Sequence, residues 1–405
     1  MKPPRSVLRF PAFRRWLLSD AVNLAGSSVS TIVLPLLVYE RTGSPALTAG
    51  LAAIRVVPYM AVGLVAGPLA DRADRKRLIV GGNLLQGVAM AVIPLWDSFT
   101  PVSVAVVYAA SLCASTMFVF TDAAVFGAIP NLVPAEYLPA ANGMLASLSS
   151  AIEVAGPALA ALLAGALGPA HAVWVDAATF FVAAALLTGV RVPLRIGPPP
   201  ERRRLRAEIG EGLRFIRANR TILTLLIAGF GNSLAFGSVL GLLVVYAVRT
   251  LGFETGDVQI GLLFSAGAIG SLVSGLVFAR VFRRERVPWL SPLTMVLAGL
   301  TTAGLAMLSS FVGAAIVYFA ISAFVAMTIT VGITYRMLAS PDALRSRVNV
   351  VGRMVAWGGQ PFGAAFGGVL AQATSVRVSL LAAGVIFTIS GVGARLALRR
   401  GPSRP

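Results

Sequence analysis

A chain of 405 residues that is 57% hydrophobic and 12% charged is far too apolar for a water-soluble fold, where roughly a quarter of residues carry charge. Its net charge of +18 would suggest nucleic acid in a soluble protein, but the basic residues sit in short segments between apolar runs and lack interleaved aromatics. No nucleic-acid partner is expected, and the single cysteine, Cys113, excludes an internal disulfide and a thiol metal cluster; no cofactor and no metal are expected.

Apolar windows bounded by glycine, proline or charge predict twelve membrane-spanning helices, at 16–40, 47–69, 78–96, 101–126, 139–165, 172–190, 221–248, 258–281, 288–309, 312–335, 347–371 and 376–398. The first carries Asp20 in its inner half and Asn23 a turn later. The second holds Arg55 near its middle. Between the second and third lies Gly67 to Arg77, GPLADRADRKR, with four basic groups and two carboxylates in eleven residues. Such a cluster cannot enter hydrocarbon, so it reads as a tight turn at a membrane surface.

The fourth span carries Asp122 and the fifth carries Glu153 near its middle, one turn before Gly156-Pro157. A charge at mid-bilayer costs at least ~2.5–3.5 kcal/mol on insertion scales, so each needs a reason. Glu153 is the preferred coupling residue: it could load and release a proton as access alternates, hold a cationic substrate, or pair permanently with Arg55. Asp176 falls near the outer end of the sixth span, where water is close, and receives no role. His171, beside Pro169, is expected at the surface.

Val192 to Arg220 cannot span. It opens with PLRIGPPPERRRLR, an extended linker, and continues with Leu205, Ile209, Leu213 and Ile216 on one helical face. That predicts an amphipathic helix lying at the membrane interface, as a tether or as a regulatory element. In the second half, Asn232, Gln360 and Trp357 are candidates for lining a cavity, and Arg353 enters its span near the inner surface, where it can snorkel.

Even span number puts both termini on one side. Segments on that side hold 29 Lys and Arg, whereas the opposite side holds three, Arg41, Arg249 and Arg377. Positive charge stays inside, so both termini are expected in the cytoplasm and the protein in the plasma (inner) membrane. The linker divides an all-α integral membrane protein into six-helix bundles at 1–192 and 221–405, with 193–220 between them. The halves echo each other. Gly67 to Arg77 returns in weaker form at Gly275, Arg280, Arg283 and Arg284, and Glu136-Tyr-Leu returns at Asp342-Ala-Leu. Six-span repeats are a mark of secondary transporters.

Here the chain resembles the major facilitator superfamily. Gly67, Leu69, Asp71 and Arg72 match that family's G-x-L-x-D-R-x-G-x-R-R/K loop; Asp74 stands where the family has glycine, and the trailing basic residues are shifted by about one position. Pro130 to Pro134, Leu138, Ala141-Asn142 and Gly156-Pro157 are similar to the exporter branch that includes macrolide efflux and enterobactin-type siderophore exporters. The resemblance implies twelve helices in two pseudo-symmetric bundles, with Gly67, Asp71 and Arg72 locking an inner gate beside Asp20 and Asp122. The bland alternative is a charged turn that only enforces topology, the preferred role for Arg75, Lys76 and Arg77. Gly143, Gly156 and Pro157 also match part of the antiporter motif G-x8-G-x3-G-P-x2-G-G, a helix-packing device.

The expected function is proton-coupled efflux of hydrophobic small molecules, such as a drug, macrolide or siderophore, by a monomer in the lipid bilayer. The alternative is an importer of a small nutrient or anion. The sequence lacks a phosphate-binding G-x-x-x-x-G-K-[ST] loop, so the energy is expected from a gradient, with protons as partner. No nucleophile–base pair suggests an enzyme.

Overall fold

The computed structural model describes residues 6–192, 205–254, 256–281, 283 and 286–399. Among them are thirteen α-helices and no strand. They are α1 (Pro11–Thr42), α2 (Pro45–Arg72), α3 (Arg75–Asp97), α4 (Val104–Ala128), α5 (Leu138–Leu167), α6 (Pro169–Thr188), α7 (Leu205–Ala218), α8 (Arg220–Arg249), α9 (Val258–Val281), α10 (Val287–Met307), α11 (Phe311–Ala339), α12 (Asp342–Ala373) and α13 (Val376–Arg399). The expected Pro-rich linker at 193–204 lies outside the described residues.

Eleven of these helices are long and apolar enough to cross a membrane. The other long one, α12, opens on the charged run DALRSRVNVVGR and continues through a glycine-rich stretch, which dilutes its apolar character.

Helix ends follow local chemistry. Ser103, Asn219 and Ser310 each accept a hydrogen bond from the backbone N–H three residues on, at 3.4, 3.0 and 3.3 Å. Each satisfies a donor that the helix start leaves open. Gly43 ends α1 at φ 59°, a left-handed conformation that costs glycine no Cβ clash, and its N–H reaches Tyr39 O at 2.7 Å.

The turn within Gly67 to Arg77 is tight, as expected, and shorter than the charged segment. Helix α2 runs through Arg72 and α3 starts at Arg75, leaving only Ala73 and Asp74 between them. Asp74 is the N-cap of α3, accepting from Arg77 N at 3.1 Å. This explains the residue that departs from the family pattern. Aspartate is among the strongest N-caps and glycine is tolerated at the same position.

Two compact units emerge, one containing Met1–Gly43, Ile54–Pro200 and Glu254–Gly261, the other Ser44–Ala53, Glu201–Phe253 and Leu262–Pro405. The chain therefore passes from one to the other inside α2, between Ala53 and Ile54. In unit 1, α1 packs on α5 and α6, and α3 on α4 and α6. A Cβ added to Gly156 would lie 2.6 Å from Ser28, so this glycine sets the α1–α5 approach. Lys76 Nζ donates to Thr188 O and Val190 O at 2.8 Å each, and Arg15 donates to Gly189 O. Two cations thus clip the carbonyl end of α6, where the helix dipole favours positive charge. For Lys76 this is more than the topological role expected of it.

In unit 2, α8 packs on α12 and α13, and α10 on α11 and α13. Ser238 Oγ donates to Gly363 O at 2.7 Å, and a Cβ on Gly359 would sit 2.7 Å from Leu234 N. Small residues let these backbones touch, which matters in lipid because no hydrophobic force drives one helix onto another. The first turns of α2 join this unit, where a Cβ on Gly368 would lie 2.8 Å from Ala49 Cβ. Helix α7, expected to lie at the membrane interface, packs its Leu213 and Ile216 with Ile222, Leu226 and Val348. The side chains of Leu205 and Ile209 lie outside the described set.

Candidate functional site

Unit 1 encloses a cavity of about 460 Å³ walled by α1, α2, α3, α4 and α6. Helix α1 contributes Ser19, Asn23, Ser27 and Ser30, spaced four, four and three residues apart and so aligned on one face. Asn23 Nδ2 donates to Asn83 Oδ1 at 3.0 Å, tying α1 to α3. Into this polar wall project three carboxylates from three helices, Asp20, Asp122 and Asp176, and one guanidinium, Arg55.

Asp176 is the most enclosed of them, at 2% exposure. Ser30 donates to its Oδ2, whereas its Oδ1 has no hydrogen-bond partner. A Cβ on Gly26 would lie 2.8 Å from that Oδ1, so the glycine of α1 is what admits the carboxylate of α6. Arg55 donates to Thr31 Oγ1 at 3.0 Å and interacts electrostatically with Asp176. Tyr59 donates to Asp122 Oδ2 at 3.4 Å. A buried hydroxyl on the same wall, Ser111, also lacks a partner. Three carboxylates and one guanidinium line the cavity, and the deepest acid has a free acceptor. Chemically, such a site can take up a proton or a small cation, because an unpaired carboxylate away from water is costly.

Unit 2 holds a smaller pocket of about 210 Å³ between α8, α10, α11 and α12. Its charges are Arg336 and Arg353, and its described lining contains no Asp or Glu. Arg336 is 4% exposed and its Nε has no partner. The guanidinium lies between two glycines. A Cβ on Gly352 would sit 2.8 Å from Nε, and one on Gly332 would sit 3.6 Å from Nη1. Asn232, at 2% exposure, leaves Oδ1 unpaired.

The residues singled out from sequence divide between these sites. Asp20, Asp122, Arg55 and Asn23 meet in the cavity of unit 1, so the two aspartates expected beside the inner turn line a polar chamber within the bundle. Asn232, Gln360, Trp357 and Arg353 meet in unit 2. Glu153 is exposed and stands outside both linings, and the partners of Arg55 are Thr31 and Asp176. Gly143 faces open space, whereas Gly156 and Pro157 are buried. Gly67, Asp71 and Arg72 lie in the last turns of α2, with side chains outside the described set. Sequence reasoning missed Asp176 and Arg336. Asp176 looked close to water because of its place along the helix. The polar stripe on α1, with Gly26 inside it, was the signal that something polar packs there.

The sequence model of the Major Facilitator Superfamily matches residues 17–348. The multidrug efflux pump Tap of Mycobacterium tuberculosis is 27% identical over 410 residues, covering 96% of this chain and 93% of that protein. Macrolide efflux protein A of Streptococcus pyogenes is 25% identical over 260 residues, 64% of each protein, so this match spans just under two thirds of its length. Among solved structures, a bacterial homologue of the iron transporter ferroportin in an inward-facing state superposes with TM-score 0.75 at 18% identity, over 99% of this chain and all of that one. A bacterial homologue of the human lysosomal transporter Spinster gives TM-score 0.77 at 15% identity, over 98% of each chain. At these identities the structures speak to the fold alone.

Proposed function

Because this chain belongs to the Major Facilitator Superfamily, a family of transporters rather than enzymes, we propose that it exports hydrophobic small molecules across the plasma membrane, driven by the proton gradient. What carries the reading is the acidic cavity of unit 1, with a buried, half-satisfied Asp176 beside Arg55. Relatives named as macrolide and multidrug efflux pumps support the exporting direction. The 29-to-3 split of Lys and Arg supports termini in the cytoplasm.

The mechanism follows from charge balance. Asp176 Oδ1 accepts a proton from water reaching the cavity, which neutralises the carboxyl and releases its hold on Arg55. Loss of that proton on the other side restores the Asp176–Arg55 attraction. One charge crossing 100 mV supplies about 2.3 kcal/mol, enough for a gradient of some fiftyfold in a neutral substrate. We place the proton on Asp176 rather than Glu153, because Asp176 has a counter-charge whose attraction the proton switches off. The substrate itself moves by alternating access of the two bundles.

The test is accumulation of ethidium or erythromycin in inverted membrane vesicles holding the full chain. Uptake that needs an imposed proton gradient and collapses with a protonophore is expected. Movement only into intact cells, or none that follows the gradient, would sink the reading.

A further inference from the structure

The pocket of unit 2 contains a group that proton-driven export does not use: a buried guanidinium with no counter-charge among the described lining residues. Arginine does not escape burial by losing its proton, so its charge has to be met by something negative. Arg336 donates to no carbonyl through Nε, and no carboxylate lies among the described lining residues. The place is nonetheless built. Gly352 leaves a slot that a larger side chain would fill, and the guanidinium occupies it, with Gly332 on its other side at van der Waals distance. Arg353, from the next helix, lines the same pocket.

We propose that this pocket is an anion site, which holds the carboxylate or phosphate group of an amphiphilic molecule against Arg336 and Arg353. The chemistry of the wall defines the ligand. The Arg336 guanidinium presents a planar fork that matches a carboxylate or phosphate with paired hydrogen bonds, and Arg353 adds positive charge to the same wall. The pocket of about 210 Å³ suits one such group. Phe236, Ile329, Ile333 and Trp357 line the rest of it and accept an apolar chain. Asn232 offers its amide N–H donors to the same anion, and its unpaired Oδ1 takes a proton donor from the ligand or from water. An anionic lipid headgroup and a transported organic acid share this chemistry. The site does not depend on the direction of transport or on Asp176.

Trp357 reports on the pocket. In the purified full-length chain in neutral detergent, tryptophan fluorescence should respond to sodium decanoate with at least about tenfold tighter apparent affinity than to the uncharged decanamide. Trp357→Phe should remove the signal. Arg336→Gln should abolish the preference for the charged compound, and Arg336→Lys should keep part of it, which separates lost charge from lost fold. If Arg336→Gln does not fold, Gly352→Ala, which crowds the guanidinium out of its slot, carries the same expectation. Nanodiscs distinguish the sources. If phosphatidylglycerol in the disc blocks decanoate and phosphatidylcholine does not, the occupant is lipid; if decanoate binds equally in both, it is a soluble acid. Equal affinity for decanoate and decanamide in the native chain, or a charge preference that survives Arg336→Gln, overturns the proposal. Neither result bears on proton-driven export, which is read in vesicles.

Discussion

The two bundles each enclose a polar pocket, and the pockets carry opposite charge. In unit 1, three carboxylates face one guanidinium. In unit 2, two guanidiniums face no carboxylate among the described residues. Each has one ion admitted by glycine, Asp176 beside Gly26 and Arg336 between Gly332 and Gly352. The difference lies in how the charge is met. Unit 1 has a counter-charge of its own, so its balance can be changed by a proton. Unit 2 has no carboxylate among its described lining residues, and the buried Arg336 leaves Nε open to an outside anion. The two units therefore carry two chemistries, one suited to driving a cycle and one to holding an anion.

The strongest way to break this contrast is to remove the acid. Asp176→Asn should lower gradient-driven accumulation about a hundredfold, equivalent to ~2.7 kcal/mol, while Glu153→Gln leaves it within about twofold. The reverse result would move coupling out of the cavity and leave the contrast without a function. Next come the glycines. Gly352→Ala presses on Arg336 and Gly26→Ala presses on Thr179 and Asp176, and each should cost about 1–3 kcal/mol in detergent unfolding. Adding Thr179→Ala should recover part of the loss at Gly26 and nothing at Gly352. Ser30→Ala removes the one hydrogen bond made to the Asp176 carboxylate among the described residues and should cost about 1–2 kcal/mol, whereas Asn232→Leu, which deletes an unpaired carbonyl, should be near neutral. The smallest effect separates the rim from the interior. Asp74→Ala should cost about 1 kcal/mol of stability and Asp74→Gly only a few tenths, with neither changing coupling nor anion preference.

Much of this protein was legible as a string, though unevenly. The spans could be read because membrane insertion depends on the apolarity of each window of about 20 residues, a local property. The tight turn after the second span is shorter than its charges suggested. Charges at Asp71 and Arg72 suggested that the chain had left the helix, yet helix α2 runs on to Arg72 and stops only before the Asp74 cap. Amphipathicity located α7 but not its neighbour: an apolar face looks the same whether it meets lipid or protein, and Ile216 meets protein. Glu153 drew attention because it sits mid-span beside a proline, which fixes its depth and leaves its direction open.

The sequence by itself determined the superfamily, the many-span helical character and the uneven distribution of positive charge, because each is written in composition over a few turns of helix. Only the tertiary structure decided which charges meet. Ser30 and Asp176 are 146 residues apart in the chain and share a hydrogen bond. The 3.6-residue period gives each side chain a face on its own helix, but which helix that face meets depends on how the bundle packs. That is why one buried carboxylate lies within electrostatic reach of a guanidinium while Arg336 was left beside two glycines.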